Sequence, residues 1–264
     1  MSALRERPAG TDGVKVDLRG GVATVTLVNT ARKNAITDPM WGELAAAFRW
    51  AASCSDVRVV VVTGDGQEFC SGADLSGAPE AHWSVHMRYI NDACLALDAL
   101  PQPTIARVDG VAAGAGLNLA LACDLVVASD RARFSEIFAR RGLSVDFGGS
   151  WFLPRRVGLH KAKELVLLAP IIDAGEAERI GLVNKVVPAE SLDAAVAEWA
   201  AALAAGPPIA LAQSKELLNR SSGRSLADAL SAEAAAQIVN FSTDDTREAI
   251  AAFIQKRTPT YHGR

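Results

Sequence analysis

DGVAAGAGLNLALACDLVVAS, residues 109–129, reads as a turn, a helix and a buried strand in immediate succession. Gly114-Ala115-Gly116 opens GLNLALAC at helical spacing, and after Asp124 the uncharged, β-branched run LVVAS suits a strand covered on both faces. Working outward, PTIARV (103–108) is a second strand, and VRVVVVTG (57–64) is a third that is apolar throughout and ends in glycine. Between them SVHMRYINDACLALDAL (84–100) has an amphipathic helical pattern stopped by Pro101 and Pro103. Nearer the N-terminus, VKVDLRGGVATVTL (14–27) is a hairpin through Gly20-Gly21, and Asp38-Pro39 opens a helix over MWGELAAAFRWAA with Asp38 as its expected N-cap. Strands alternating with helices indicate an α/β fold with mainly parallel pairing.

The pattern changes from Glu190 onward, where the strand signal vanishes and alanine-rich helices dominate. Gly206-Pro207-Pro208 separates two of them, and Ser242-Thr243-Asp244-Asp245 caps a last helix running to Lys256-Arg257. Acid at its start and base at its end offset the helix dipole. The expected organisation is a tail over 1–13, a core domain over 14–189 and a helical region over 190–264. That helical region either packs on another subunit or closes the core of its own chain.

With 27 Lys+Arg against 30 Asp+Glu the net charge is −3, which supplies no field for nucleic acid or an anionic membrane. MSALRERPAGTDG has two arginines with no apolar core behind them, and no run of about 18 uncharged apolar residues follows. A cytoplasmic protein with no membrane partner is the expectation. Cys54, Cys70, Cys94 and Cys123 form no CxxC pair, so neither a zinc knuckle nor a disulfide frame is indicated. His82 and His86 share a helical face, but no carboxylate pattern completes a metal site. No metal is expected.

Two glycine-bearing turns follow strands: GDGQEFCSGADL (64–75) and DGVAAGAGL (109–117). In the second, Leu119 occupies the third glycine of the dinucleotide fingerprint, and the chain has neither a GK[ST] phosphate loop nor a G-x-S-x-G elbow. Such turns leave backbone N–H groups unpaired, and two of them side by side could donate to one oxygen. Two tight strand-to-helix turns without a ligand remain the alternative.

FCSGADL (69–75), the 109–129 block, GLSVDFGGSWFLPRRVG (142–158), AERIGLVNKVV (177–187) and AFIQKRTPTY (252–261) occur in order and resemble the crotonase, or enoyl-CoA hydratase/isomerase, superfamily. The resemblance spans about Val14 to the C-terminus. It implies a spiral of ββα units with C-terminal trimerisation helices, a homo-oligomer (trimer or dimer of trimers), and an acyl-CoA thioester substrate. Coenzyme A is then part of the substrate, and no separate cofactor is implied. By position, the oxyanion-hole amides are those of Ala73 and Ala115, the latter often glycine in the family. Asp74, Leu75, Gly114 and Asn118 flank them against the substrate. Arg32, Lys33 and Ala35 in TARKNAI match the stretch that meets the adenine and phosphate end of CoA, while Phe253 and Lys256 match residues reaching the CoA of a neighbouring subunit.

The acids bear on the reaction. Where hydratases of the family carry two glutamates, this chain has Asn118 and Phe138, and neither accepts a proton. Asp146 stands where isomerase branches place their acid/base. The segment GL-x-x-D-x-GG-x-W-x-LPR resembles the ring-epoxide and 3,4-to-2,3-enoyl-CoA isomerases of phenylacetate catabolism most. Desolvation among Phe134, Phe138, Phe147 and Trp151 is expected to raise the Asp146 pKa. The other reading of Asp146 is a cap on the GGSWFL helix. Trp151, Phe138 and the residues around His82–Met87 are expected to shape the acyl pocket. The leading expectation is a double-bond isomerase. The alternatives are a non-catalytic acyl-CoA binder and a hydratase using an atypical acid, Glu136.

Overall fold

The computed structural model describes residues 11–77 and 82–264; most of the expected tail over 1–13 lies outside them. The hairpin forms as read, with β1 (Val14–Arg19) antiparallel to β2 (Val22–Leu27). Three parallel strands then extend the sheet: β3 (Val59–Gly64), β4 (Thr104–Val108) and, beyond a short β5 (Val111–Ala113), β6 (Leu125–Ser129). A late strand, β9 (Lys185–Val187), completes a six-stranded sheet in the order β1-β2-β3-β4-β6-β9. A smaller sheet orders β5, β7 (Arg133–Ser135) and β8 (Ile172–Asp173).

The topology is a spiral. Successive units give one strand to the large sheet, one short extended piece to the small sheet, and then a helix. β4 and β5 precede α3 (Ala115–Ala122), and β6 and β7 precede α4 (Gly149–Val157). The earlier turns of the spiral use single bridges in place of a second strand. Ile36 pairs with Ala73 before α1 (Asp38–Ser53), and Cys70 pairs with Ala112 before α2 (Trp83–Asp98).

β3 explains its unbroken apolar run, since all its residues are buried. Val60 and Val62 face the main core with Trp41, Phe48 and Leu97, while Val59 and Val61 face a second core on the other side of the sheet. That second core is closed by Leu192, Ala195, Val196 and Ala200 of α7 (Leu192–Ala204), which follows α5 (Leu159–Leu168) and α6 (Ala174–Arg179). The all-helical region therefore begins by covering the sheet of its own chain. The later helices α8 (Pro208–Asn219), α9 (Leu226–Phe241) and α10 (Asp244–Gln255) carry a broad exposed apolar face, including Leu226, Ile238, Phe241, Phe253 and Ile254. The chain end folds back, with the His262 and Gly263 N–H groups donating to buried Asp245 at 2.7 and 2.9 Å.

Two helix starts differ from the sequence reading. The N-cap of α1 is Thr37, in extended conformation, and Asp38 is the first helical residue, its carboxylate paired instead with His86 at 3.1 Å. α2 starts one residue early, because the His82 ring accepts from Ser84 N–H as the cap. Among the described residues no single helix is long and apolar enough to cross a membrane.

Candidate active site

The Cys70–Ala112 pairing sets the site. Cys70 N–H donates to Val111 O at 2.8 Å and Ala113 N–H to Cys70 O at 3.0 Å, so the two glycine turns run parallel. Three residues further along both segments, this register brings Ala73 beside Ala115. The approach depends on glycine: a Cβ on Gly116 would lie 2.4 Å from Cys70 O, and one on Gly72 would lie 3.0 Å from Ala113 O. Gly72 also has φ +106, which side-chain-bearing residues rarely adopt.

Both amides are left free. Around Ala73, Ile36 N–H donates to Gly72 O and Asp74 N–H to Ile36 O, each at 2.8 Å, so the bridge skips the Ala73 N–H. Ala115 is the first residue of α3 behind Gly114, where an N–H has no intrahelical acceptor. Neither N–H has a partner among the described residues. Two free donors, one at a helix N-terminus, meet in a cleft of about 870 Å³ that also takes in Ala35, Gly114, Phe138 and Asp146. That arrangement stabilises negative charge developing on one oxygen.

Asp146 arrives from the other side, on the loop before α4. Its backbone carbonyl accepts from Gly149 N–H and from Asn118 Nδ2, both at 2.9 Å. The next residue, Phe147, is fully buried with φ +44 and lies 5.6 Å from the Trp41 ring, which fixes the loop. The carboxylate does not cap α4; Gly148 occupies that position. Asp146 Oδ1 is buried without a hydrogen-bond partner among the described residues, and burial pushes the carboxyl up to about 6. A carboxyl with that affinity gives and takes protons near neutrality.

The remaining expected residues divide. Arg32, Lys33, Asp74 and Leu75 line the cleft, with Arg32 paired to Asp74 at 3.2 Å and Lys33 to Glu68 at 2.9 Å. The turn carrying these cations is tied down by Asn34, whose Nδ2 donates to Asp65 O and Glu68 O at 2.9 and 2.6 Å. His86 and Met87 also line the cleft, but His82 serves as a helix cap. Among the described residues no cluster of His, Cys, Asp and Glu could hold a metal ion.

Trp151 is a correction. It lies outside the cleft lining, 49% exposed, with the Arg155 guanidinium 3.2 Å above its ring. The inward face of α4 is taken by Gly149, Phe152 and Leu153, and the helical rotation turns Trp151 outward. Asn118 is corrected too: it is fully buried behind Asp146 and supports the acid without lining the cleft. Phe253 and Lys256 likewise do not line this chain's cleft, and Phe253 is 85% exposed on α10. Sequence reasoning missed Arg141, a cleft-lining cation with no ion-pair partner among the described residues. Its only signal was the Arg140-Arg141 pair ahead of Gly142.

Residues 17–264 match the family model described as enoyl-CoA hydratase/isomerase. The chain is 39% identical to a probable enoyl-CoA hydratase of Rhodobacter capsulatus, over 95% of this chain and 98% of that one. It is 35% identical to the 1,2-epoxyphenylacetyl-CoA isomerase of Escherichia coli, over 92% and 96%. A crystal structure of a putative enoyl-CoA hydratase from Streptomyces coelicolor superposes with TM-score 0.92 at 37% identity, covering 100% of both chains. With the spiral of ββα units and the paired turns in place, the chain has the crotonase fold and belongs to the enoyl-CoA hydratase/isomerase family of acyl-CoA enzymes.

Proposed function

We propose that this enzyme shifts the double bond of an enoyl-CoA thioester, with Asp146 as its single acid/base. The observation that carries the reading is the pairing of two free amides with one buried carboxyl in the same cleft. The Ala73 and Ala115 N–H groups polarise the thioester carbonyl. The ionised Asp146 carboxylate removes a proton from one carbon, and the electron pair moves through the conjugated system onto the carbonyl oxygen as a dienolate held by both amides. Protonated Asp146 returns the same proton two carbons away, so the step is balanced without water. Arg32 and Lys33, with Arg141, meet the CoA phosphates. The exposed apolar face of α8 to α10 suits self-association into a trimer or dimer of trimers, which would bring Phe253 and Lys256 to a neighbour's CoA.

The hydratase name of the Rhodobacter relative motivates a second reading, addition of water, which calls for a second acid facing the substrate. Glu136, the available carboxyl, is buried and does not line the cleft. Conversion of a 3-enoyl-CoA to its 2-enoyl isomer, lost in Asp146→Asn, tests the proposal; unchanged isomerisation in that variant overturns it. Turnover of crotonyl-CoA that disappears in Glu136→Gln would favour hydration, and CoA-thioester binding without turnover across an acyl panel would favour a binder.

A further inference from the structure

Glu136 follows β7 with 1% of its surface exposed, and its side chain neither caps the adjoining 3-10 helix nor forms an ion pair among the described residues. Neither of its oxygens has a full hydrogen-bond partner. Among the described residues the same is true of the buried Asn118 Oδ1 and Asp146 Oδ1, and of Ser135 Oγ one residue earlier in the chain. One of the two Asn118 Nδ2 hydrogens is committed, since Nδ2 donates to the Asp146 carbonyl. Among the described residues Asn118 Oδ1 and Asp146 Oδ1 are thus buried acceptors without a donor. Two ionised carboxylates in such a place are very unfavourable, whereas one proton converts an acceptor into a donor.

We propose that Glu136 is a positioning residue that carries a second proton of the active site, remaining neutral while Asp146 is ionised and directing its O–H to Asn118, whose amide holds the Asp146 loop. The relay runs from Glu136 to Asn118 Oδ1, and from Asn118 Nδ2 to Asp146 O. It gives Asn118 Oδ1 the donor it otherwise lacks, and it keeps a second negative charge away from the reacting acid. The proton stays on Glu136 through the cycle, so nothing is consumed.

The electrostatics agree with this division. Burial first, and then the Asp146 charge, push the Glu136 carboxyl up to about 8, with Asn118 opposing the rise. Asp146 is raised less, to about 6, by burial alone. The groups acting on the pair are Asn118 from α3 and, on the Asp146 side, Cys94 from α2. The Cys94 thiol is pushed up to about 12 by burial and by the charges of Asp98 and Asp146, so it stays neutral. No lysine, arginine or histidine contributes to either carboxyl's shift.

The inference rests on Asp146 being the reactive acid, so its test has an arm that needs no turnover. Carboxyl-13C NMR of the full-length free protein should show one glutamate titrating near pH 8, absent in Glu136→Gln and moved to lower pH in Asp146→Asn. A Glu136 signal already ionised at pH 7, or unmoved in Asp146→Asn, overturns the proposal even if isomerisation is confirmed. In the kinetic arm, kcat should fall on the alkaline side in the parent and lose that limb in Glu136→Gln, each profile scaled to its own value at pH 7. Glu136→Leu should lower kcat by about tenfold or more with KM little changed, and Gln should recover part of the loss. An alkaline limb that persists in Glu136→Gln overturns the proposal. Intact NMR titrations with no isomerase activity would instead remove the isomerase reading alone.

Discussion

The side-chain amide of Asn118 donates to the backbone carbonyl of Asp146 at 2.9 Å, so an amide in the first turn of one helix holds the loop that carries the acid. Asn118→Leu keeps the approximate volume and removes that donor. It should cost about 1–3 kcal/mol of stability. Loss of loop placement should lower kcat by roughly tenfold to a hundredfold. Denaturant unfolding and steady-state assay of the same variant separate the two effects. A kcat equal to that of the parent would show that the tether has no part in placing the acid.

Gly116→Ala probes the paired amides without touching any titrating group. Its new methyl would meet Cys70 O at 2.4 Å and must push the two turns apart. Opening the amide pair should reduce kcat by about a hundredfold or more while the protein stays folded by circular dichroism. Full activity in a folded variant would place the carbonyl elsewhere.

The rate should depend on pH through Asp146 in a defined direction. The base form is required, so kcat/KM should rise as pH increases through about 6 and stay level until the alkaline limb set by Glu136 near 8. Asp146→Glu, if active, should move that limb, whereas His86→Gln should leave its position in place. A rising limb that follows His86 would transfer the base role to the histidine.

Stability should respond to Glu136 in the opposite sense. Its folded pKa, about 8, lies above its ordinary 4.5, so the folded state binds the proton more tightly than the unfolded chain. The resulting contribution is fully present below 4.5 and is lost progressively as pH rises to about 8. Glu136→Gln should therefore be more stable than the parent by up to roughly 3 kcal/mol at pH 7, with the gap closing near pH 4. Urea unfolding at both pH values checks it; a gap that is the same at each pH would contradict a raised Glu136.

Among the described residues Arg141 has no ion-pair partner to release, unlike Arg32 and Lys33. Arg141→Ala should raise KM for a CoA thioester by roughly fivefold to tenfold at low salt, with a smaller effect at high salt. An unchanged KM at both ionic strengths would exclude contact with the anionic part of the substrate.

The alternation of strands and helices was legible because burial on both faces leaves runs such as Val59–Val62, which no exposed segment could carry. The two amides were legible only through motif position, because a backbone donor has no side-chain signature; the register that makes them neighbours comes from the Cys70–Ala112 bridge. Trp151 was misread for a related reason. Its spacing from Asp146 is fixed by sequence, but the face it occupies depends on which residues of α4 the core accepts, and Phe152 and Leu153 take that side. From the sequence Glu136 reads as the atypical acid of an alternative hydratase. Only the packing of β7 against α3 and the Asp146 loop makes it a dry neighbour of the reactive carboxyl. The helical region shows the same limit: alanine-rich periodicity names helices, but the apolar face of α7 belongs to the sheet and that of α10 does not.

The main-chain origin of the Ala73 and Ala115 donors has a consequence for how such a protein can change. In the proposed mechanism the half of the site that grips the thioester is specified by pairing between two loops, and the donor at residue 115 is main chain whichever side chain stands there. In the proposed mechanism the half that moves protons rests on one side chain, Asp146, whose loop is held by Asn118. Evolution can therefore exchange one reaction for another on a constant grip, and descent from a common ancestor at 35–39% identity is compatible with different chemistry in each branch.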